Sequence, residues 1–209
     1  MTTKEKIIDT ALQLFNKQGI DPVTTRHIAK EMNISHGNLC YHYSKKEDII
    51  GQLYHNLVAE LDQEIAAIQS GVPSLEMLMQ ATAATFRIQY KYKFILQDMV
   101  AIMRKIEPIG QHFKVLYQQR KNQFRLIIQY LLMQGLIESE KVKGQYDNFI
   151  DQFYIIGDFW VSEAEILFDG PDEEKLAHYT QLAFSLIIPY FTPKGLEAYQ
   201  YLQKAHQKD

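Results

Sequence analysis

The sequence predicts an all-α protein, and three observations carry that expectation. Apolar residues recur at helical spacing along almost the whole chain. No stretch alternates apolar and polar residues with the period of two that a half-buried strand needs. The 10 glycines and 6 prolines are few for 209 residues, and they stand where the helical patterns end.

The first helix is expected over about residues 3–18, where Ile7, Ile8, Ala11, Leu12 and Phe15 share one face and Gly19 gives a C-terminal stop. Asp21-Pro22 is a turn. Thr24 caps a short second helix that reaches about Met32. Asn33 follows, and asparagine is the non-glycine residue best suited to a left-handed turn position. Ser35 caps a third short helix through Tyr43. Ser44 and Glu47 have the spacing of a capping box and open a long fourth helix.

From there the helices lengthen. They are expected near 45–70, 74–91, 93–106, 108–134, 145–168, 172–190 and 193–206, broken at Gly71, Pro73, Pro108, Gly135, Gly170, Pro171 and Pro193. Long helices joined by short turns make a bundle. Only 3 of the 25 aromatic residues (Phe15, Tyr41 and Tyr43) fall in the first 50 positions, so the bulky core material belongs to the rest of the chain. The expected organisation is a three-helix N-terminal domain over residues 1–47 and a helical bundle over 48–209.

Composition narrows the function classes. Hydrophobic residues are 46% and charged residues 22%, an ordinary globular balance. Net charge is −3 overall and +1 over residues 1–50, with seven Lys/Arg against six Asp/Glu, so charge alone does not argue for nucleic acid. Cys40 is the one cysteine, which excludes an internal disulfide and any site of several thiolates and fits a reducing cytoplasm. The opening MTTKEKIIDT lacks the apolar core of a signal peptide. The most apolar stretch, LAFSLIIPYF at 182–191, is too short to cross a bilayer and contains Pro189. A cytoplasmic protein with no membrane partner is expected. No phosphate-binding glycine loop, HExxH, GxSxG or multi-ligand Cys/His spacing occurs, so no enzyme, metal or cofactor is implied.

The informative segment is VTTRHIAKEMNISHGNLCYHYSKKEDII, residues 23–50. Two short helices around a tight turn are what a helix-turn-helix requires. Their steep crossing needs a small side chain, and Ala29 supplies it. Asn33 sits in the turn four residues later, and Leu39 points back into a small core completed by Ile28, Met32 and Ile34.

These residues resemble the N-terminal domain of TetR-type (TetR/AcrR) transcriptional repressors over about residues 4–55. The likeness includes ALQLF with its following glycine, the TTR entry to helix 2, the IA pair, the recognition helix and the closing His-aromatic-x-x-Lys-Glu segment that leads into helix 4. The remaining residues match only in layout. The resemblance implies a sequence-specific DNA-binding regulator, a repressor released from a palindromic operator by a small-molecule effector. It also implies residue roles. Thr24, Thr25 and Arg26 open helix 2, where free N–H groups and the helix dipole favour a phosphate. His36, Gly37 and Asn38 form the first turn of the recognition helix, which meets base edges in the major groove. Asn38 carries the amide suited to adenine. Tyr41 and His42 match positions that meet a base or phosphate, Lys46 matches a phosphate-gripping lysine, and Tyr43 matches a core aromatic. Competing readings are a plain cap for Thr24, a surface ion pair for Arg26 and a solvated histidine for His36. Cys40 departs from the family's usual tyrosine, and Asn33 from its usual glycine.

One helix-turn-helix reads few base pairs, so a twofold dimer on a near-palindromic site is expected, with the two copies about 34 Å apart. By resemblance the helices near 145–168 and 172–190 form the interface. Candidates there are Phe153, Ile156, Trp160, Leu176, Tyr179, Ala183, Leu186 and Tyr190, with intrachain core as the alternative. The resemblance also implies an effector cavity. Its candidates are Phe86, Tyr90, Phe94, Met103, Phe113, Tyr117, Phe124, Phe153, Tyr154 and Trp160, with Met99 and Phe149 beside them and His112, Asp98 and Asp158 as polar anchors. Two other function classes stay open at this point: an all-helical enzyme, and a ligand-binding bundle without DNA-directed function.

Overall fold

The computed structural model describes residues 1–68 and 73–206. The expected end of the fourth helix at residue 70 and the break at Gly71 lie outside the described residues. Among those described, eleven α-helices follow one another: α1 (Thr3–Gln18), α2 (Thr25–Glu31), α3 (His36–His42), α4 (Lys46–Ile68), α5 (Leu75–Lys91), α6 (Lys93–Gln97), α7 (Met99–Lys105), α8 (Glu107–Met133), α9 (Gln145–Leu167), α10 (Asp172–Ser185) and α11 (Pro193–His206). The only extended pairing among them is an isolated antiparallel bridge between Ile137 and Phe191. No helix among the described residues is long and apolar enough to cross a membrane.

Three boundaries differ from the sequence-based expectation. The helix expected over 93–106 is two helices, because Asp98 leaves helical geometry at φ −103° and ψ 17°. Its carboxylate accepts from the backbone N–H of Ile20 at 3.4 Å. The helix expected over 172–190 ends at Ser185, and a 3-10 turn over Ile188–Tyr190 carries Pro189. Proline has no N–H to continue a helix. The chain instead turns to pair with 136–138: Glu138 N–H donates to the Tyr190 carbonyl at 2.7 Å, and Thr192 N–H to that of Leu136 at 3.1 Å. Finally, α4 begins at Lys46, so the third helical position is Asp48 and not Glu47. Asp48 accepts from the Ser44 hydroxyl at 2.7 Å and from Lys45 N–H at 3.2 Å. Glu47 pairs with Lys105 at 2.8 Å, which holds its carboxyl below the usual range.

The chain forms two compact units, Met1–Glu60 with Ile88–Lys114 and Leu61–Arg87 with Val115–Asp209. In the first, α2 packs on both α1 and α3, and α1 also meets α6. Ile7, Ala11, Phe15, Val23, Ile28, Leu39, Ile49 and Leu53 are fully buried. Each large side chain among them contributes about 1.5–3 kcal/mol against exposure. Phe15 packs on Phe94 with ring centroids 5.1 Å apart. Asn16 ties the same elements by polar contacts: its amide donates to the Lys91 carbonyl at 2.9 Å and accepts from Phe94 N–H at 3.2 Å.

The second unit is built on Leu75, Leu78, Phe124, Ile128, Leu131, Phe149, Ile150, Phe184 and Ile187. Phe124 meets Phe149 edge-on at 5.7 Å, and Phe184 stacks on Tyr199 at 5.4 Å. Gly195 lets α11 approach the 135–138 turn. A Cβ there would run into the Leu136 carbonyl oxygen, so no other residue fits without movement.

Candidate nucleic-acid interface

The site starts from two caps. Thr24 is the N-cap of α2, accepting from His27 N–H at 3.2 Å, and Ser35 is the N-cap of α3, accepting from Asn38 N–H at 3.1 Å. Serine and threonine caps each stabilise a helix start by about 1 kcal/mol. Between them Asn33 takes φ 56°, and it is the single non-glycine residue with positive φ among those described. Asparagine tolerates this conformation better than other side chains. The turn then closes through Ile34 N–H to the Ala29 carbonyl at 3.0 Å. Ala29 is 2% exposed, so the crossing of α2 and α3 has no room for a larger side chain.

This frame sorts α3 into two faces. Leu39 is fully buried and the following Tyr43 is 6% exposed, with Lys4 lying 5.5 Å over its ring. His36, Gly37, Asn38 and Tyr41 face outward, and Tyr41 is 85% exposed. A Cβ on Gly37 would meet nothing within 4 Å, so the fold itself does not require glycine there. The side chains of Asn38 and Arg26 form no hydrogen bond or ion pair among the described residues.

Three further residues expected at DNA, Thr25, His36 and Lys46, are already engaged within the protein. His36 Nε2 lies 3.0 Å from Thr25 Oγ1 and 3.3 Å from Cys40 Sγ. Thr25 and His36 therefore link the first turn of α2 to α3. Lys46 donates to the Ile20 carbonyl at 2.5 Å and lies 3.4 Å from that of Asp21. An ammonium has three donors, so one remains for an outside acceptor. His42 is half-buried and stands edge-on to Tyr41 at 5.2 Å.

The candidates for an effector cavity divide between the two units. Tyr90, Phe94, Met103 and Phe113 belong to the first, as do Asp98 and His112. Phe94 is core against Phe15, Asp98 accepts from Ile20, and His112 Nδ1 lies 2.9 Å from the Tyr54 hydroxyl. The second unit holds Phe86, Tyr117, Phe124, Phe153, Tyr154 and Trp160. Phe86 stacks on Trp160 at 5.0 Å, and both are buried. Tyr117 meets Tyr154 at 5.1 Å, and Phe124 meets Phe153 at 5.0 Å. Burial lifts both tyrosine hydroxyls above the ordinary phenol range. Asp158, on the same helix as Tyr154, is raised to about 7, chiefly because burial disfavours its charged form, with Arg120 opposing. Sequence reasoning did not identify a groove of about 660 Å³ in this unit, lined from α5, α10 and α11 by Met79, Ala83, Leu176, Thr180 and Phe184 among others.

Of the residues expected at a dimer interface, Trp160, Tyr179 and Ala183 are buried within the chain itself, at 2%, 4% and 0% exposure. Trp160 packs on Phe86 and Tyr179, and the Tyr179 hydroxyl donates to Glu163. Phe153, Ile156, Leu176, Leu186 and Tyr190 are half-buried. The large apolar side chains left outside on these two helices are Ile155, Phe159, Ile166 and Leu167 on α9 and Leu182 on α10. Positions 155, 159 and 166 repeat at helical spacing, a signal the sequence held.

Comparison with known proteins agrees with this layout. Residues 7–53 match the family model "Bacterial regulatory proteins, tetR family", and residues 56–199 match a second model described as "Bacterial transcriptional repressor". The biofilm operon negative regulator IcaR of Staphylococcus epidermidis is 43% identical over 53 residues, 25% of this chain and 29% of that protein. The regulator AcrR of Shigella flexneri is 27% identical over 124 residues, 56% of each chain. The chain thus spans about half the length of one of these relatives and under a third of the other. A TetR-family regulator from Marinobacter aquaeolei VT8, solved as a crystal structure, shares the fold with a TM-score of 0.85 at 22% identity, covering 98% of both chains. The second family model alone covers more than half of the sequence, and with the N-terminal match it places the protein: the chain belongs to the TetR family of bacterial transcriptional regulators.

Proposed function

We propose that this chain is a homodimeric repressor that reads a near-palindromic operator with α3 and leaves it when a small-molecule effector binds. The observation that carries this reading is the outward face of α3. Asn38 and Tyr41 are presented to solvent on a helix whose other face is locked by Leu39, and the Asn38 amide has no partner among the described residues. In such a helix N-terminal residues reach base edges. Asn38 is the adenine reader, and Gly37 leaves room for a base or sugar beside it. Tyr41 and His42 meet the groove wall, while Thr24, Thr25, Arg26 and the remaining donor of Lys46 hold phosphates. Thr25 and Cys40 hold His36, so it acts where that pair aims it.

Repression is supported by IcaR, a negative regulator by name, in the segment that aligns. The exposed apolar residues Ile155, Phe159, Ile166 and Leu182 give α9 and α10 a face suited to a second copy. The half-buried aromatics of the second unit supply an effector wall, and release follows if the effector prefers the conformer that mismatches the groove spacing.

Selection from random duplex DNA tests the proposal. Enrichment of an inverted repeat with half-sites about one helical turn apart is expected, with affinity falling steeply as salt rises. No enrichment, or binding indifferent to salt, would overturn it.

A further inference from the structure

Asp158, one of the polar anchors expected from the sequence, is a carboxyl for which the described residues supply no partner. It lies on α9, one helical turn after Tyr154, half-buried, and makes no hydrogen bond or ion pair among the described residues. No side-chain oxygen or nitrogen among those residues is both sealed from solvent and unpartnered. The Asp158 carboxyl therefore borders accessible space while protein surrounds most of it. The cations of this region have other partners. Arg120 acts on Asp158 only through space, and its guanidinium bonds Asp62 at 3.0 Å. Lys121 is taken by Asp151, which also accepts from the Tyr117 hydroxyl at 3.3 Å. The Tyr117 and Tyr154 rings stand 5.1 Å apart, and the charge on Asp158 acts on both hydroxyls.

We propose that Asp158, with the rings and hydroxyls of Tyr117 and Tyr154, forms the polar end of the effector site, and that the effector is an organic cation with an apolar or aromatic body. This rests on the effector reading above and names the ligand class for it. A carboxylate half-withdrawn from water without a partner is disfavoured, and a cation arriving from outside relieves that cost. Aromatic faces beside it favour the same charge. The lift of Asp158 to about 7 is the signature of a charge that burial penalises and Arg120 does not neutralise. An anionic ligand would meet the carboxylate directly, and a neutral one would leave its desolvation unrelieved.

The test uses the full chain and three probes with one body: 4-phenylbutylammonium, 4-phenylbutanol and 4-phenylbutyrate, titrated by calorimetry. The ammonium is expected to bind at least tenfold more tightly than either of the others. Only ionised Asp158 attracts it, so its affinity should be roughly tenfold higher at pH 8 than at pH 6. Asp158→Asn should abolish both the preference and the pH dependence. Tyr154→Phe should weaken ammonium binding by about two- to tenfold, the loss of one hydrogen bond. Equal affinities, tightest binding of the carboxylate, no binding of any probe at millimolar concentration, or a preference that survives in Asp158→Asn would each overturn the proposal. Operator affinity measured with the ammonium present separates the two claims. Binding that depends on Asp158 but leaves DNA affinity unchanged upholds the ligand class and removes the effector role.

Discussion

Replacing Asp158 with asparagine should stabilise the protein in a manner that grows with pH. The unfolded chain loses this proton near the ordinary value of 3.8, and the folded chain near 7. Between those values the native state holds more protons than the unfolded state, so the wild-type protein loses stability as pH rises. The shift of about three units, at 1.36 kcal/mol each, amounts to a penalty on the order of 4 kcal/mol once the group is fully ionised above about pH 8. Below about pH 4 both states are protonated and the penalty vanishes. Asparagine has nearly the same shape and no charge, so the variant should match wild type at acid pH and pull ahead between pH 5 and 8. Urea unfolding followed by circular dichroism, at fixed protomer concentration and several pH values, measures the difference directly. A stability difference that stays constant from pH 5 to 8, or a variant less stable than wild type at pH 8, would refute the reasoning.

Other substitutions separate fold from function. Leu39→Ala removes a fully buried side chain from beneath α3 and should cost about 2–5 kcal/mol in chemical unfolding, taking DNA binding with it. Gly37→Ala should do the opposite to the fold: open space surrounds the position, and alanine favours helix by up to about 1 kcal/mol, so melting should rise while operator affinity falls. Gly195→Ala should destabilise the protein by roughly 1–3 kcal/mol, because its methyl would collide with the Leu136 carbonyl, and hydrogen exchange should show faster opening of α11.

Local chemistry made much of this fold legible in the sequence. Capping by Thr24 and Ser35, the left-handed Asn33 and the small Ala29 each act within a few residues, and the structure uses each as local rules require. What escaped depends on partners distant in sequence. Asp98 breaks a helix while its carboxylate serves Ile20, 78 residues away. Pro189 ends α10 locally, but the pairing of the chain beyond it with 136–138 does not show in its periodicity. Lys46 has the position expected of a phosphate ligand, yet its bond to Ile20 depends on a loop 26 residues earlier. Trp160, Tyr179 and Ala183 show the limit of periodicity most clearly. It places them on an apolar face but does not say whether that face meets the same subunit or another copy.

A double substitution at two outward-facing positions of α3 is the decisive measurement. Asn38→Ala with Tyr41→Ala should leave the melting temperature within about a degree or two, since neither side chain is packed in the core. Affinity for the selected operator should fall by tenfold or more, because each base interaction removed is worth about 1–3 kcal/mol, while weak salt-dependent binding to random DNA persists. Undiminished operator affinity in a well-folded double variant would contradict the assignment of α3 as the helix that reads DNA.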